Sequence, residues 1–280
     1  MSSGVGAPPS SQAKNRFQGK SVLITGAAGN IGYTTAVRMA SEGAHLILFD
    51  LPTLEDKLAQ IRQEMLEQYS DQQFLVYGCD VTEEEKVVAC VDDAAKQLGG
   101  IDYLFNNAGY QGLFVPTDRY PTDDFLQVIN INVTGVFHVL KAVTQHMKTA
   151  GRGAIVQTAS MAGVSVPPNM LAYSTSKAAV IGMSKGAAKD LAPFNIRVNS
   201  ISPAFIGPGM MWTRQTELQA AAGSQYYDAD PQVVAQQMIG CVPMRRYGSL
   251  EEVANVVCFL LSDDASYLTA QNIEITGGIN

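Results

Sequence analysis

The stretch Ser21-Val-Leu-Ile-Thr-Gly-Ala-Ala-Gly-Asn-Ile-Gly-Tyr-Thr-Thr-Ala-Val-Arg-Met-Ala-Ser41 decides the fold. Ser21 to Thr25 is short, apolar and rich in β-formers, so it reads as a strand. Four small residues follow. From Asn30 to Ser41 the apolar positions Ile31, Tyr33, Ala36, Val37 and Ala40 fall broadly on one side of a helix. A strand that runs through a glycine-rich turn into a helix opens a βα unit, and the next strand must lie parallel to the first.

The same alternation continues outward. Strands are predicted at 45–49, 74–77, 101–105, 153–157, 195–201 and 272–276, and helices at 54–69, 122–149 and 171–191. Two capping boxes, Thr82-Glu-Glu-Glu85 and Ser249-Leu-Glu-Glu252, are predicted to open further helices that run to about 98 and to 261. The pattern implies an α/β fold: one domain over 19–280, with a doubly wound parallel sheet of seven strands and helices on both faces. Residues 1–18 carry Ser, Gly and Pro without periodicity and are read as a disordered tail. Residues 204–248 are the least regular stretch. With Gly207-Pro-Gly209 as a hinge, they are read as a substrate loop that acts as a lid.

Composition narrows the function. Of 280 residues 46% are apolar and 16% charged; 19 basic residues against 26 acidic give a net charge of −7. No Lys/Arg-dense run exists, which argues against nucleic acid and anionic membranes as partners. No apolar run approaches the ~18 residues of a membrane span. The cysteines, Cys79, Cys90, Cys241 and Cys258, have no C-x-x-C spacing and read as free thiols of a reducing compartment, so a cytoplasmic location is expected. Import by the tail stays open, since no acid precedes Glu42, although only Lys14 and Arg16 lie in the tail. Three histidines without a Cys/His cluster imply no metal site.

In doubly wound sheets ligands bind beyond the carboxyl ends of the strands. Thr25-Gly-Ala-Ala-Gly-Asn-Ile-Gly32 sits at such an end. Its small residues let backbone approach a pyrophosphate, and the helix start offers free amides. Gly26, Asn30 and Ile31 are the contacts expected there. Asp50 ends the second strand, 24 residues after Gly26. A carboxylate there accepts both adenosine ribose hydroxyls and repels a 2′-phosphate. Ala27, Ala28, Leu51 and Thr53 offer no compensating cation, so NAD is predicted over NADP. Leu51 borders the same ribose. Asp80, with Val81 beside it, ends the third strand near the adenine.

Tyr173-Ser-Thr-Ser-Lys177 places a phenol and an ammonium on one helix face. A free tyrosine titrates near 10, and a neighbouring cation favours the phenolate. Ser160, thirteen residues earlier at a strand end, points into the same crevice. Asn132 lies in the long preceding helix, where its buried amide needs a partner in water or backbone.

Thr25-Gly26 with Gly32, Asn106-Asn-Ala-Gly109, Asn132, Ser160, Tyr173 with Lys177, and Asn195-Ile-Arg-Val-Asn199 follow one another in an order and spacing that resembles the short-chain dehydrogenase/reductase family, over about residues 18 to 279. Phe105-Asn-Asn-Ala-Gly-Tyr-Gln-Gly112, Ala159-Ser-Met-Ala-Gly163, Pro167-Pro-Asn-Met170 and two segments between Val233 and Gly248 are similar to its bacterial NAD-dependent xylitol dehydrogenases. The resemblance implies a Rossmann-type domain and hydride transfer between nicotinamide and a secondary alcohol, a polyol or sugar. It casts Tyr173 as general acid/base, Lys177 as the group that lowers the tyrosine pKa and binds the nicotinamide ribose, Ser160 as the substrate-orienting hydroxyl and Asn132 as the holder of a water that links Lys177 to solvent. Asn107, Ala108 and Gly109 would line the adenosine ribose, and Pro203 with Ile206 the nicotinamide. It also implies a homotetramer, to which the small residues after Tyr173 (Ala178, Ala179, Gly182, Gly186) would contribute.

The chain departs from the family pattern twice. Asn30 stands where glycine is usual; asparagine tolerates left-handed backbone and caps helices well. Ala204 replaces the glycine after Pro203, so an ordinary φ is expected there. A polyol needs further hydrogen-bond partners, and Gln111, Asn169 and Gln215 are the candidates, with Trp212 on the lid. The alternatives are a carbonyl or 3-oxoacyl reductase with the same four residues, and a nucleotide-sensing protein without turnover.

Overall fold

Alternate residues of each central strand enter opposite cores, as period-two geometry demands. In β1 (Ser21–Thr25) Val22 and Ile24 face one way and Leu23 the other. In β2 (His45–Asp50) Leu46 and Leu48 oppose Ile47 and Phe49. One core packs α1 (Asn30–Ala40), α2 (Glu55–Gln68) and α9 (Leu250–Leu261) on the sheet. The other packs α3 (Glu84–Leu98), α5 (Val136–Ala150) and α6 (Leu171–Leu191).

With β3 (Phe74–Gly78), β4 (Tyr103–Asn106), β5 (Gly153–Thr158), β6 (Ile196–Pro203) and β7 (Asn272–Ile275), the sheet has the order β3-β2-β1-β4-β5-β6-β7, every pair parallel. The order reverses between β1 and β4, which opens a crevice at their carboxyl ends. This computed structural model describes residues 15–279. The predicted single α/β domain, doubly wound with seven strands, is the architecture found.

Several local expectations are corrected. The tail read over 1–18 lies outside the described residues up to 14, but residues 15–18 are folded. Phe17 is fully buried edge-on against Tyr103, and the Arg16 guanidinium pairs with Glu42 at 2.6 Å. The capping box at Thr82 does not form: the Thr82 hydroxyl donates to Asp80 Oδ1 at 2.8 Å, and α3 starts at Glu84 without a side-chain cap. The box at Ser249 does form. At the far end of α9 the Arg197 guanidinium donates to the carbonyls of Leu260, Leu261 and Ser262, a cation on the negative end of the helix.

The long helix is α4 (Thr122–Ile129) and α5 joined by a π-helical turn, Asn130–Gly135. Although no apolar run in the sequence reaches bilayer length, the helix as a whole, Thr122–Ala150, is long and apolar enough to cross a membrane. Its apolar window is 44% buried, and Val139, Val143 and Met147 sit in the second core. The stretch 204–248 holds two helices, α7 (Met210–Ala221) and α8 (Pro231–Gly240).

Candidate active site

Thr25 ties the strand ends together. Its hydroxyl donates to Asn106 Oδ1 at 3.2 Å and accepts the backbone N–H groups of Asn107 and Ala108 at 2.8 and 2.9 Å. Thr158 on β5 donates to Asn107 Oδ1 at 3.1 Å. The Gly-rich turn is held against this platform. Gly26 has φ +65°, and an added Cβ would crowd Ala108 and Asn107. A Cβ on Gly32 would run into the Gly26 carbonyl. Asp50 accepts the backbone N–H of Ala28 at 2.8 Å and of Leu51 at 2.9 Å. Gly29 rather than Asn30 is the cap of α1, so Asn30 is its first residue and is not left-handed. Ala204 also lacks a positive φ, as expected.

These groups open onto one cavity of about 1130 Å³. Every expected cofactor contact lines it: Gly26, Asn30, Ile31, Asp50, Leu51, Asp80, Val81, Asn107, Ala108, Gly109, Tyr173, Lys177, Pro203 and Ile206. So does Lys57, which the sequence reading missed. The signal was its place in the first turn of the helix that follows Asp50, which faces the same crevice.

Ser160 also lines the cavity, while Asn132 lies one layer behind, fully buried. The Asn132 amide accepts the Tyr110 N–H at 2.7 Å and donates to the Tyr110 carbonyl and to Ser176 Oγ at 2.8 and 2.9 Å. Its partners are thus backbone and hydroxyl. The π turn presents this side chain. Gly109 allows the close approach, since a Cβ there would stand 3.3 Å from both Asn132 Oδ1 and Lys177 Nζ.

Lys177 Nζ donates to the Thr158 carbonyl at 2.8 Å and lies 5.6 Å from the Tyr173 ring centroid. Burial pulls the Lys177 ammonium down to about 8. Burial also pushes the Tyr173 phenol up to about 12, opposed by its hydrogen bond with Ser160. The ammonium is itself desolvated and spends a hydrogen bond on the Thr158 carbonyl.

At the other end of the cavity Gln111, Trp212 and Gln215 are in the wall. Trp212 packs edge-on against Phe205 and tilted against Tyr247, with ring centroids 5.7 and 5.9 Å away. Asn169 is not in the wall. Its left-handed backbone (φ 67°) turns the amide to Gln219 and Ser224, at 3.0 and 3.1 Å, so it ties α7 and the turn after it to the body. The Gly207 N–H donates to the Gly248 carbonyl at 3.0 Å, which pins the two ends of the 204–248 stretch together.

The family described as enoyl-(acyl carrier protein) reductase matches residues 26–280. A solved NAD+-bound xylitol dehydrogenase is 56% identical, with a TM-score of 0.91 over 94% of this chain and 99% of that one. The chain belongs to the short-chain dehydrogenase/reductase family. As such it is an oxidoreductase. Among relatives, levodione reductase of Leifsonia aquatica is 37% identical over 96% of this chain and 97% of its own. A 3-oxoacyl-acyl-carrier-protein reductase of Thermotoga maritima is also 37% identical, over 94% and 99%. In this short-chain dehydrogenase/reductase the motif residues read from sequence gather at one cavity, with Asn132 directly behind it.

Proposed function

We propose that this protein transfers a hydride between a secondary alcohol, a polyol or sugar such as xylitol, and NAD. The reading rests above all on Tyr173, Ser160 and Lys177 sharing a cavity with a glycine turn and a strand-end carboxylate. The likeness to an NAD+-bound xylitol dehydrogenase supports it. The site fits a dinucleotide: side chains at Gly26 or Gly32 would fill the cradle, and Asp50 presents a carboxylate to the ribose. Asp50 favours NAD over NADP, although Lys57 softens that choice.

When bound, the dinucleotide supplies the hydride acceptor. The chain's own residues manage the proton. Ser160 Oγ orients the substrate hydroxyl, the Tyr173 oxygen takes its proton during oxidation and returns one during reduction, and Lys177 supplies nearby positive charge. Asn132 fixes the 109–111 backbone over Lys177 and is the residue to which a relay water would bind. Gly182 and Gly186 face open space, and Leu126 and Phe137 are exposed; this face suits subunit contact, and a homotetramer is our assignment. Four free cysteines favour a cytoplasmic location.

Replacing Tyr173 with Phe is expected to lower turnover of the alcohol by 10²-fold or more, with NADH binding by fluorescence titration nearly unchanged. A Tyr173→Phe enzyme as active as wild type overturns the proposal. The likeness to a 3-oxoacyl reductase favours ketone or acyl thioester reduction as the second reading. A panel of polyols, simple ketones and acyl thioesters separates the two, and NADH binding without turnover of any of them would favour a sensor.

A further inference from the structure

Three cations line the cavity: Lys57, Lys177 and Arg214. The first stands in the helix after Asp50, and the second spends its ammonium on the Thr158 carbonyl at 2.8 Å. Among the described residues Arg16, Arg38, Arg152 and Arg246 each pair with a carboxylate, and Arg214 pairs with none. Its contacts are to Tyr110, whose ring centroid lies 6.0 Å from the guanidinium carbon and whose hydroxyl is within its hydrogen-bond reach. A guanidinium carries five N–H donors in a flat fork, so a ring and one hydroxyl leave most of the fork unused.

The place of this fork in the fold decides what it can meet. Arg214 lies on α7, which follows β6, and Tyr110 lies on the loop after β4. The sheet runs β4-β5-β6, so the Arg214–Tyr110 pair brackets the end of β5, from which Ser160 emerges to hydrogen-bond Tyr173. The Tyr110 side is fixed, because Asn132 clamps its N–H and carbonyl at 2.7 and 2.8 Å. The carboxylates in the cavity wall, Asp50 and Asp80, end β2 and follow β3. Three strand spacings separate β2 from β5, roughly 14 Å at about 4.8 Å each, too far for either acid to neutralise Arg214. The positive charge at the substrate end is thus left for a ligand. A carboxylate matches the fork through two parallel N–H···O bonds. A phosphate dianion would call for a second cation, and Lys177 is held by Thr158 while Lys57 stands at the β2 end.

We infer that Arg214 is a substrate-binding residue whose guanidinium grips a carboxylate of the substrate, which makes that substrate a hydroxy acid, such as a polyol carboxylate, rather than a neutral polyol. The inference rests on the alcohol-oxidation reading above.

The test uses two matched pairs with NAD: xylonate against xylitol, and 3-hydroxybutyrate against its methyl ester. Wild type, Arg214→Gln and Arg214→Lys are compared, and thermal unfolding checks that each is folded. Wild type is expected to prefer the acid of each pair, and its KM for the acids should rise with ionic strength more than its KM for the neutral partners. Arg214→Gln should cut the acid-to-neutral ratio of kcat/KM by about tenfold or more, mostly through KM. Arg214→Lys, which keeps the charge and loses the fork, should fall between. An unchanged ratio in Arg214→Gln overturns the inference. Equal or better use of the neutral partners by wild type, or acid KM values indifferent to salt, overturns it while the alcohol reading stands. No turnover of any of the four with NAD overturns both.

Discussion

Lys177→Met removes the most strongly desolvated cation of the site, and it should make the protein more stable. Burial moves the ammonium from 10.5 to about 8, a displacement worth about 3 kcal/mol at ~1.36 kcal/mol per pH unit. Methionine fills similar volume but abandons the Thr158 carbonyl, which accepts from Nζ at 2.8 Å; that loss returns about 1–2 kcal/mol. The net gain is about 1–2 kcal/mol, or roughly 2–5 °C in Tm for a chain of this size. The pH dependence identifies the cause. The folded-state pKa lies below the unfolded one, so between pH 8 and 10.5 the unfolded wild-type chain binds more protons than the folded one. Wild-type stability relative to the variant must then climb across that window, and the full penalty stands below pH 8. Urea unfolding followed by circular dichroism at pH 7 and pH 10 measures the gap. A variant less stable than wild type at pH 7, or a gap that is the same at both pH values, refutes the desolvation argument.

Other outcomes follow from the same geometry. Asp50→Ser removes the ribose carboxylate and leaves Lys57 in the wall; the kcat/KM preference for NAD over NADP should fall at least tenfold in paired assays, and an unchanged preference counts against Asp50 as the selector. Since burial pushes Tyr173 to about 12, alcohol oxidation, which needs the phenolate, should accelerate as pH rises from 6 to 10. Reduction, which needs the phenol, should not accelerate; opposite slopes in initial-rate profiles contradict the proton assignment. Phe17→Ala should cost about 3–5 kcal/mol, read as a lower urea midpoint, whereas a spectator residue would move it little.

The sheet was legible because its strands are β-branched or apolar runs between glycine turns, and period-two burial did the rest. The site was legible because Gly26, Asp50, Ser160 and Tyr173 stand where strands or a helix meet the crevice. What stayed hidden depends on contacts distant in sequence. Phe17 is a single anchor in a polar stretch, and only its seat against Tyr103 reveals it. Thr82 followed by Glu85 matches a capping box, but Asp80 two residues earlier competes for the hydroxyl. Helix α7 buries Thr216 and Gln219 with Ala220, so it shows no apolar stripe. Asn169 had the right chemistry for a polyol, and its backbone aims it at Gln219 and Ser224 instead. The spacing of Tyr173 and Lys177 reports nearness and says nothing of the water excluded from both.

The wide turn at Asn130–Gly135 has a consequence for how this chain can change. One residue more than an α-helical turn is accommodated there, and each residue of a helix advances its face by about 100°. A one-residue deletion anywhere between 122 and 136 that let the helix regularise would swing Asn132 away from Tyr110, though every side chain of the site were kept. Insertions and deletions in this helix are thus as constrained as substitutions in the cavity, and the spacing itself is heritable information.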